Sequence, residues 1–298
     1  MNQTVLLVGS TGMLGRQIAS NLLISGNARV LLLARGDDDA KKKALLTAFH
    51  DKGAEVVQGD LTDRDSLERA TRNVDVIISA VQGGPEVIID GQLALAEAGK
   101  RNGVRRILPS DYALDLFKAT PGEHSAFDMR RTADERIAKI GLEQINVLQG
   151  AFMWAFLPGN GAVDLDAGTI SFFGSGDERI ETTSVEDTAR VIARVATDPS
   201  VQPGKFAIAG DRVSFREAGE IVSKLSGRTL RPVSLGSEDD LRAAMKAADP
   251  QKRMMLAYLL YMLNGQTALT NLQNQRYPDI HLERFADFAA HALRHPNQ

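Results

Sequence analysis

The chain has 298 residues, a formal net charge of −3, 43% hydrophobic and 24% charged residues, and no cysteine. That balance is ordinary for a globular chain and excludes a polyanion-binding signature, a disulfide framework, a thiol nucleophile and a cysteine-ligated metal. The length accommodates one large domain or two closely joined ones. Met1 leads directly into the first apolar run, without a basic n-region or a long apolar segment, so a cytoplasmic location is expected.

Val5 to Val8 is a short apolar run suited to a strand buried on both faces. Gly9, Gly12 and Gly15 follow, and from Met13 the pattern turns helical, with Leu14, Ile18 and Leu22 on one face. Strand, glycine turn and helix together form the arrangement that binds a dinucleotide pyrophosphate. Gly9 allows the turn, Gly12 lets backbone approach phosphate, and Gly15 lets the helix lie close to the strand. The N–H groups that open the helix then face the anion.

Further strands are expected at Arg29 to Leu33, Glu55 to Gln58, Val74 to Ser79, Arg106 to Pro109 and Ile145 to Leu148. Helices are expected at Asp39 to Asp51, Ser66 to Thr71, Val87 to Asn102 and Asp128 to Ile140. This alternation predicts an α/β fold with a doubly wound parallel sheet. After Gly150 the rhythm changes. Phe152, Trp154, Phe156 and Leu157 concentrate apolar bulk before the break Pro158-Gly159-Asn160-Gly161. Strands at Ile170 to Phe173 and Lys205 to Ala209, and helices at Ser184 to Ala196, from Ser214, and at Ser237 to Ala248, follow. Met254 to Leu263 is too short to span a bilayer; it reads as a buried helix or as the lid of an apolar pocket.

The end of the second strand sets the choice between NAD and NADP. Arg35 stands there, and its planar fork suits a 2′-phosphate, with Lys41, Lys42 and Lys43 adding charge. NADP(H) is therefore the expected cofactor, although Asp37, Asp38 or Asp39 is a competing partner for Arg35. Asp60, after the third strand, suits either the adenine amino group or a turn that caps the next helix. Ser79-Ala80-Val81-Gln82 ends the fourth strand at the edge where open sheets bind ligands.

These stretches together carry a family resemblance. Val8-Gly9-Ser10-Thr11-Gly12-Met13-Leu14-Gly15, Arg35, the Lys42-to-Phe49 helix, Gly59 to Asp63, Val74 to Ala80 and Arg106 to Tyr112 resemble the isoflavone reductase-like branch of the NmrA-like atypical short-chain dehydrogenase/reductases. Glu186-Asp187, Asp198-Pro199 and Arg276-Tyr277-Pro278-Asp279 extend the likeness toward the end of the chain. The resemblance implies a Rossmann domain over residues 1–150, with a returning strand near 205–209, and a smaller substrate-binding α/β region over 151–298. It implies NADPH as cofactor and reduction of a small apolar, aromatic or quinone-like substrate. Arg35 and Lys42 would hold the 2′-phosphate; Asp60, Leu61, Ala80 and Val81, with Gln82 beside them, would line the adenosine. The glycine-loop residues Thr11, Met13 and Leu14 would join Gly9, Gly12 and Gly15 in binding.

One position departs from the family. Where it usually carries a catalytic lysine, this chain has Arg130, and no lysine occurs between Phe127 and Arg136. Arginine stays protonated, so it cannot act as a general base, but it can stabilise developing negative charge. Tyr112 has Leu116 four residues on, so the usual Tyr-x-x-x-Lys pair is missing too. Tyr112, His124 and Asp111 are other proton donors by residue type, but Tyr112 suits packing and His124 an exposed loop beside Pro121-Gly122. Two functions follow: an NADPH-dependent reductase with Arg130 in its site, or an NADP(H)-binding redox sensor that regulates a partner protein without turnover. For the reductase, Phe152, Trp154, Phe156 and the Met254-to-Leu263 segment are candidate pocket walls.

Overall fold

The computed structural model describes residues 3–36 and 39–295. The chain divides into two compact units, one of Met1–Asp111, Met129–Val147 and Thr188–Phe206, the other of Tyr112–Asp128, Leu148–Asp187 and Ala207–Gln298. A single division at residue 150 therefore does not describe it. Residues 112–128 cluster with the later part of the chain, and residues 188–206 with the earlier part.

The first unit is built on strands β1 (Gln3–Val8), β2 (Ala28–Ala34), β3 (Glu55–Gln58), β4 (Val76–Ser79), β5 (Arg106–Leu108) and β6 (Glu143–Leu148). The returning strand Gly204–Ala207 lies beside β6, and the sheet order continues β6-β5-β4-β1-β2-β3. The pairings among β1 to β6 are parallel. Val5 to Val8 pair with Val30 to Leu33 on one side and Val76 to Ser79 on the other, and successive residues are buried, so both faces of β1 are covered and its sequence is continuously apolar. The order reverses between β1 and β4, the topological switch point at which such sheets bind ligands.

Helices α1 (Met13–Ser25), α2 (Ala40–His50), α3 (Arg64–Ala70), α4 (Gln92–Arg101), α5 (Ser125–Ala138) and α6 (Val185–Thr197) follow the strands. Their starts are chosen by local chemistry. Asp39 caps α2 by accepting from the Lys42 N–H, and Asp63 caps α3 by accepting from the Asp65 and Ser66 N–H groups. The Asp63 cap moves α3 ahead of its expected start at Ser66. The helix expected from Val87 opens instead as a π-helical turn over Glu86–Gly91, with regular helix from Gln92. The extra residue in that turn lets the fully buried Gln92 donate from Nε2 to the Ile88 carbonyl at 2.9 Å.

Arg106 on β5 is fully buried. Its guanidinium donates to the carbonyls of Val195, Asp198 and Val201, at 3.0, 2.6 and 2.9 Å, and to Glu143 Oε2. It thus binds the Val195 carbonyl in the last turn of α6 and the Asp198 and Val201 carbonyls just beyond it. Arg106→Met should lower unfolding free energy by about 2–3 kcal/mol, because it strips buried carbonyls of a charged donor. Urea denaturation monitored by circular dichroism measures this.

The second unit contains two three-stranded sheets. One has Ile180–Thr183 between Asp211–Val213 and Ala151–Phe152; the other has Thr169–Phe172 between Arg231–Ser234 and Val163–Asp164. Helices α7 (Phe215–Ser226), α8 (Glu238–Ala247), α9 (Pro250–Asn264) and α10 (Phe285–Arg294) complete it. Ser214 and Ser237 open α7 and α8 through reciprocal capping boxes with Glu217 and Asp240. The Met254-to-Leu263 stretch forms most of α9, with Ala257, Leu260, Tyr261 and Met262 buried, so most of its apolar bulk is core. Met255 is the exposed exception. Phe156 is likewise fully buried, tilted against Phe215 and edge-to-face with Phe285, so it lines no open wall. Among the described residues no helix is long and apolar enough to cross a membrane.

Candidate functional site

The candidate site is formed within the first unit, where β1, β2, β4 and β5 end. The three glycines between β1 and α1 have three different surroundings. Gly9 has φ +84°, and a Cβ there would stand 2.3 Å from the Ala80 carbonyl oxygen. A Cβ on Gly15 would stand 2.0 Å from the Gly9 carbonyl oxygen. These two positions tie the turn to β4 and to the first turn of α1, and a side chain at either collides with backbone.

Gly12 differs. Its φ of −74° is ordinary, and the nearest atom to an added Cβ is the Gly9 carbonyl oxygen at 3.4 Å. The fold therefore tolerates a side chain there, and the glycine leaves the approach to the helix start open. Gly12 is the N-cap of α1 without a side-chain cap, and the first turn has no acidic residue. The loop's Ser10 is buried, and its hydroxyl has no hydrogen-bond partner among the described residues. An uncapped helix start, an open approach and an unsatisfied hydroxyl fit an anionic group such as a pyrophosphate. In the same loop Thr11 and Leu14 are half-buried, and Met13 is exposed.

The residues at the end of β2 are accessible. Arg35 is exposed, and its charge helps hold the Asp60 carboxyl below the ordinary range, after the larger effect of the Thr62 hydrogen bonds. Lys42 lies in the first turn of α2, with its ammonium 3.8 Å from Asp39 Oδ2. Of the acids that compete for Arg35, Asp39 is thus engaged as the α2 cap, and Asp37 and Asp38 fall outside the described residues. Asp60 Oδ1 accepts from the Thr62 N–H at 2.8 Å and the Thr62 hydroxyl at 2.7 Å. Asp60 is thus a turn aspartate, while the cap of the next helix is Asp63. Leu61 beside it is half-buried.

Ala80 and Val81 are half-buried beyond the end of β4, and Gln82 is exposed. The Ser110 hydroxyl donates to the Val81 carbonyl at 2.7 Å, and the Ser110 N–H donates to Gln92 Oε1 at 3.0 Å. Ser110 thereby joins the ends of β4 and β5. Sequence patterning missed Gln92 and Ser110, because both act through backbone partners brought together by the sheet.

Arg130 is half-buried on α5 and turns back to this edge, donating from Nε to the Ser110 carbonyl at 2.8 Å. Asp134, one turn further along α5, is buried, so this face of the helix is not a solvated one. The guanidinium also acts on Asp111, which immediately follows Ser110 and is itself buried. The other proton-donor types lie in the second unit. Tyr112 is half-buried, and His124 is buried rather than exposed. The His124 ring stacks on Phe127 at 4.0 Å, and its Nδ1 accepts from the Phe127 N–H at the start of α5. Packing and helix capping account for the burial of His124.

Comparison with known proteins gives a consistent set. A model of the NmrA-like family matches residues 1–290. A bifunctional pinoresinol-lariciresinol reductase from Linum usitatissimum is 27% identical over 95% of this chain and 97% of its own. The phenylcoumaran benzylic ether reductase IRL1 of Ginkgo biloba is 27% identical over 93% of this chain and 94% of its own. Among solved structures, AtPrR2 with NADP+ and (+)pinoresinol superposes with a TM-score of 0.86 at 24% identity, covering 97% of this chain and 98% of that one.

Proposed function

Since this chain belongs to the NmrA-like family, we propose that it is an NADPH-dependent oxidoreductase of the isoflavone reductase-like type, acting on a small apolar, aromatic or quinone-like substrate. The observation that carries the reading is the start of α1: an uncapped helix N-terminus behind a glycine whose missing side chain leaves an open approach. The relatives named as pinoresinol-lariciresinol and phenylcoumaran benzylic ether reductases support the reaction class.

Bound NADPH supplies the hydride. The chain's own residues bind and orient. The Gly9-to-Gly15 loop, with Thr11, Met13 and Leu14, offers N–H groups to the pyrophosphate. Arg35 and Lys42 take the 2′-phosphate, while Asp60, Leu61, Ala80, Val81 and Gln82 border the adenosine. Arg130 stabilises negative charge that develops on a substrate oxygen. Because arginine does not release its proton, the proton comes from water or from the substrate itself.

Arg35→Ala should weaken NADPH binding by about 1.5–3 kcal/mol, the scale of charge-assisted hydrogen bonds, and change NADH binding little. Calorimetric titration with both cofactors tests this, and equal losses refute the assignment of Arg35. Screening NADPH oxidation against quinones, isoflavonoids and lignans then identifies the substrate class.

A further inference from the structure

Beside Arg130 lies a pair of buried carboxyl groups that cofactor binding does not use. Asp111, just past β5, is 1% exposed, and Asp134, on α5, is 4% exposed. Asn146 Nδ2 donates to Asp111 Oδ2 at 2.7 Å, and Gln144 Nε2 donates to Asp134 Oδ1 at 3.1 Å. Their other oxygens, Asp111 Oδ1 and Asp134 Oδ2, are buried and receive no donor among the described residues, and the two carboxyls are linked through the amides, since Gln144 Nε2 also donates to Asn146 Oδ1 at 3.4 Å. Two buried carboxylates offer only acceptors, so a proton retained on one of them supplies a donor that these oxygens otherwise lack.

The surrounding charges point the same way. From α5 the cluster is faced by Arg130, the one cation among the described residues that acts on both carboxyls; from β6 by the neutral amides of Gln144 and Asn146; and from the end of β5 by the Ser110 carbonyl. With both aspartates ionised, two negative charges would share this buried volume with one positive charge. With one proton retained, the cluster is neutral, which is the form that burial favours.

We propose that Asp111 and Asp134 act as one carboxyl pair holding a single proton, and that its remaining negative charge positions the Arg130 guanidinium at the ligand edge of the sheet. The pair's role toward substrate rests on the reductase reading; the shared proton does not. Burial raises both carboxyls above the ordinary aspartate range, and Asp111 raises Asp134 further as a like charge. The two titrate as a unit. Loss of the proton would set a second negative charge beside Arg130 and cancel part of the field it offers to a substrate oxygen.

Infrared spectra of the full chain in D2O at neutral pH, without cofactor, test the proton directly. Wild type should show the carbonyl band of a protonated carboxylic acid, and Asp134→Asn should lack it. Asp111→Asn, which should also lack the band, serves if the first variant does not fold. Thermal melts across pH give a second readout. A carboxyl that is raised on folding binds its proton in the folded state, so stability falls as pH rises from the ordinary aspartate range through the raised one. That slope should flatten in either asparagine variant. In NADPH oxidation, the wild-type kcat should fall on the alkaline side, and the variants should lose that limb while keeping the KM for NADPH. A wild-type spectrum without the band, or a band surviving in both variants, overturns the shared proton, and an alkaline limb unchanged in both overturns the pair's role toward Arg130. A wild type that shows the band but oxidises no NADPH with any substrate refutes the reductase reading and supports the shared proton.

Discussion

Gly12→Val should abolish saturable binding of both NADPH and NADH while leaving the melting temperature near that of wild type. The two halves of this result have separate causes. The fold tolerates the change because Gly12 has an ordinary φ and a Cβ there meets only the Gly9 carbonyl oxygen, at 3.4 Å. Binding does not, because the valine side chain would fill the approach to the α1 N-terminus. Losing two charge-assisted hydrogen bonds to phosphate, at about 1.5–3 kcal/mol each, weakens binding by more than about 100-fold. The neighbouring glycines provide the contrast. Gly9→Ala and Gly15→Ala place a Cβ 2.3 and 2.0 Å from backbone oxygens, so both should lose stability together with binding. Calorimetry for the ligand and calorimetric melts for the fold separate these outcomes. Wild-type affinity in Gly12→Val would place the phosphates elsewhere.

Arg130→Ala should lower turnover by about 10²–10³-fold, the cost of removing one donor to a developing oxyanion, with NADPH affinity nearly unchanged. The guanidinium is held from behind by the Ser110 carbonyl, at 2.8 Å from Nε, at the edge of the sheet where ligands bind. Arg130→Lys should keep part of the activity, since charge remains while the fork that reaches Ser110 is lost. Steady-state kinetics with the best substrate from the NADPH-oxidation screen gives both values. An alanine variant with wild-type kcat would remove Arg130 from the reaction.

The readability of this molecule in its sequence follows the range of the interactions concerned. The strand, glycine turn and helix at the N-terminus are local, and β1, α1 and the αβ alternation through β6 lie close to where periodicity placed them. Helix starts moved where a cap outside the apolar pattern decided them, as Asp63 does for α3. The π-helical turn before α4 has no signal in hydrophobic periodicity, because it serves the contact of Gln92 with the end of β5. His124 sits in a polar stretch, yet its ring is buried against Phe127 from within its own unit.

By itself, the amino-acid order determined the parallel α/β class, the glycine loop, the basic residue at the end of β2 and the arginine that replaces the family lysine. The glycine loop and the basic residue rest on spacing within a few residues, the α/β class on the alternation of strand and helix patterns along the chain, and the place of Arg130 on the family resemblance. The tertiary structure decided the rest. It interleaved the two units, since residues 188–206 cluster with the first unit and Gly204–Ala207 joins its sheet beside β6. It also brought Ser110, Asp111, Arg130, Asp134 and Asn146 together from β5, α5 and β6. Asp134 follows Arg130 by four residues and is within its reach along α5, but the others meet only through the sheet register and the exclusion of water around two carboxyl groups from different elements.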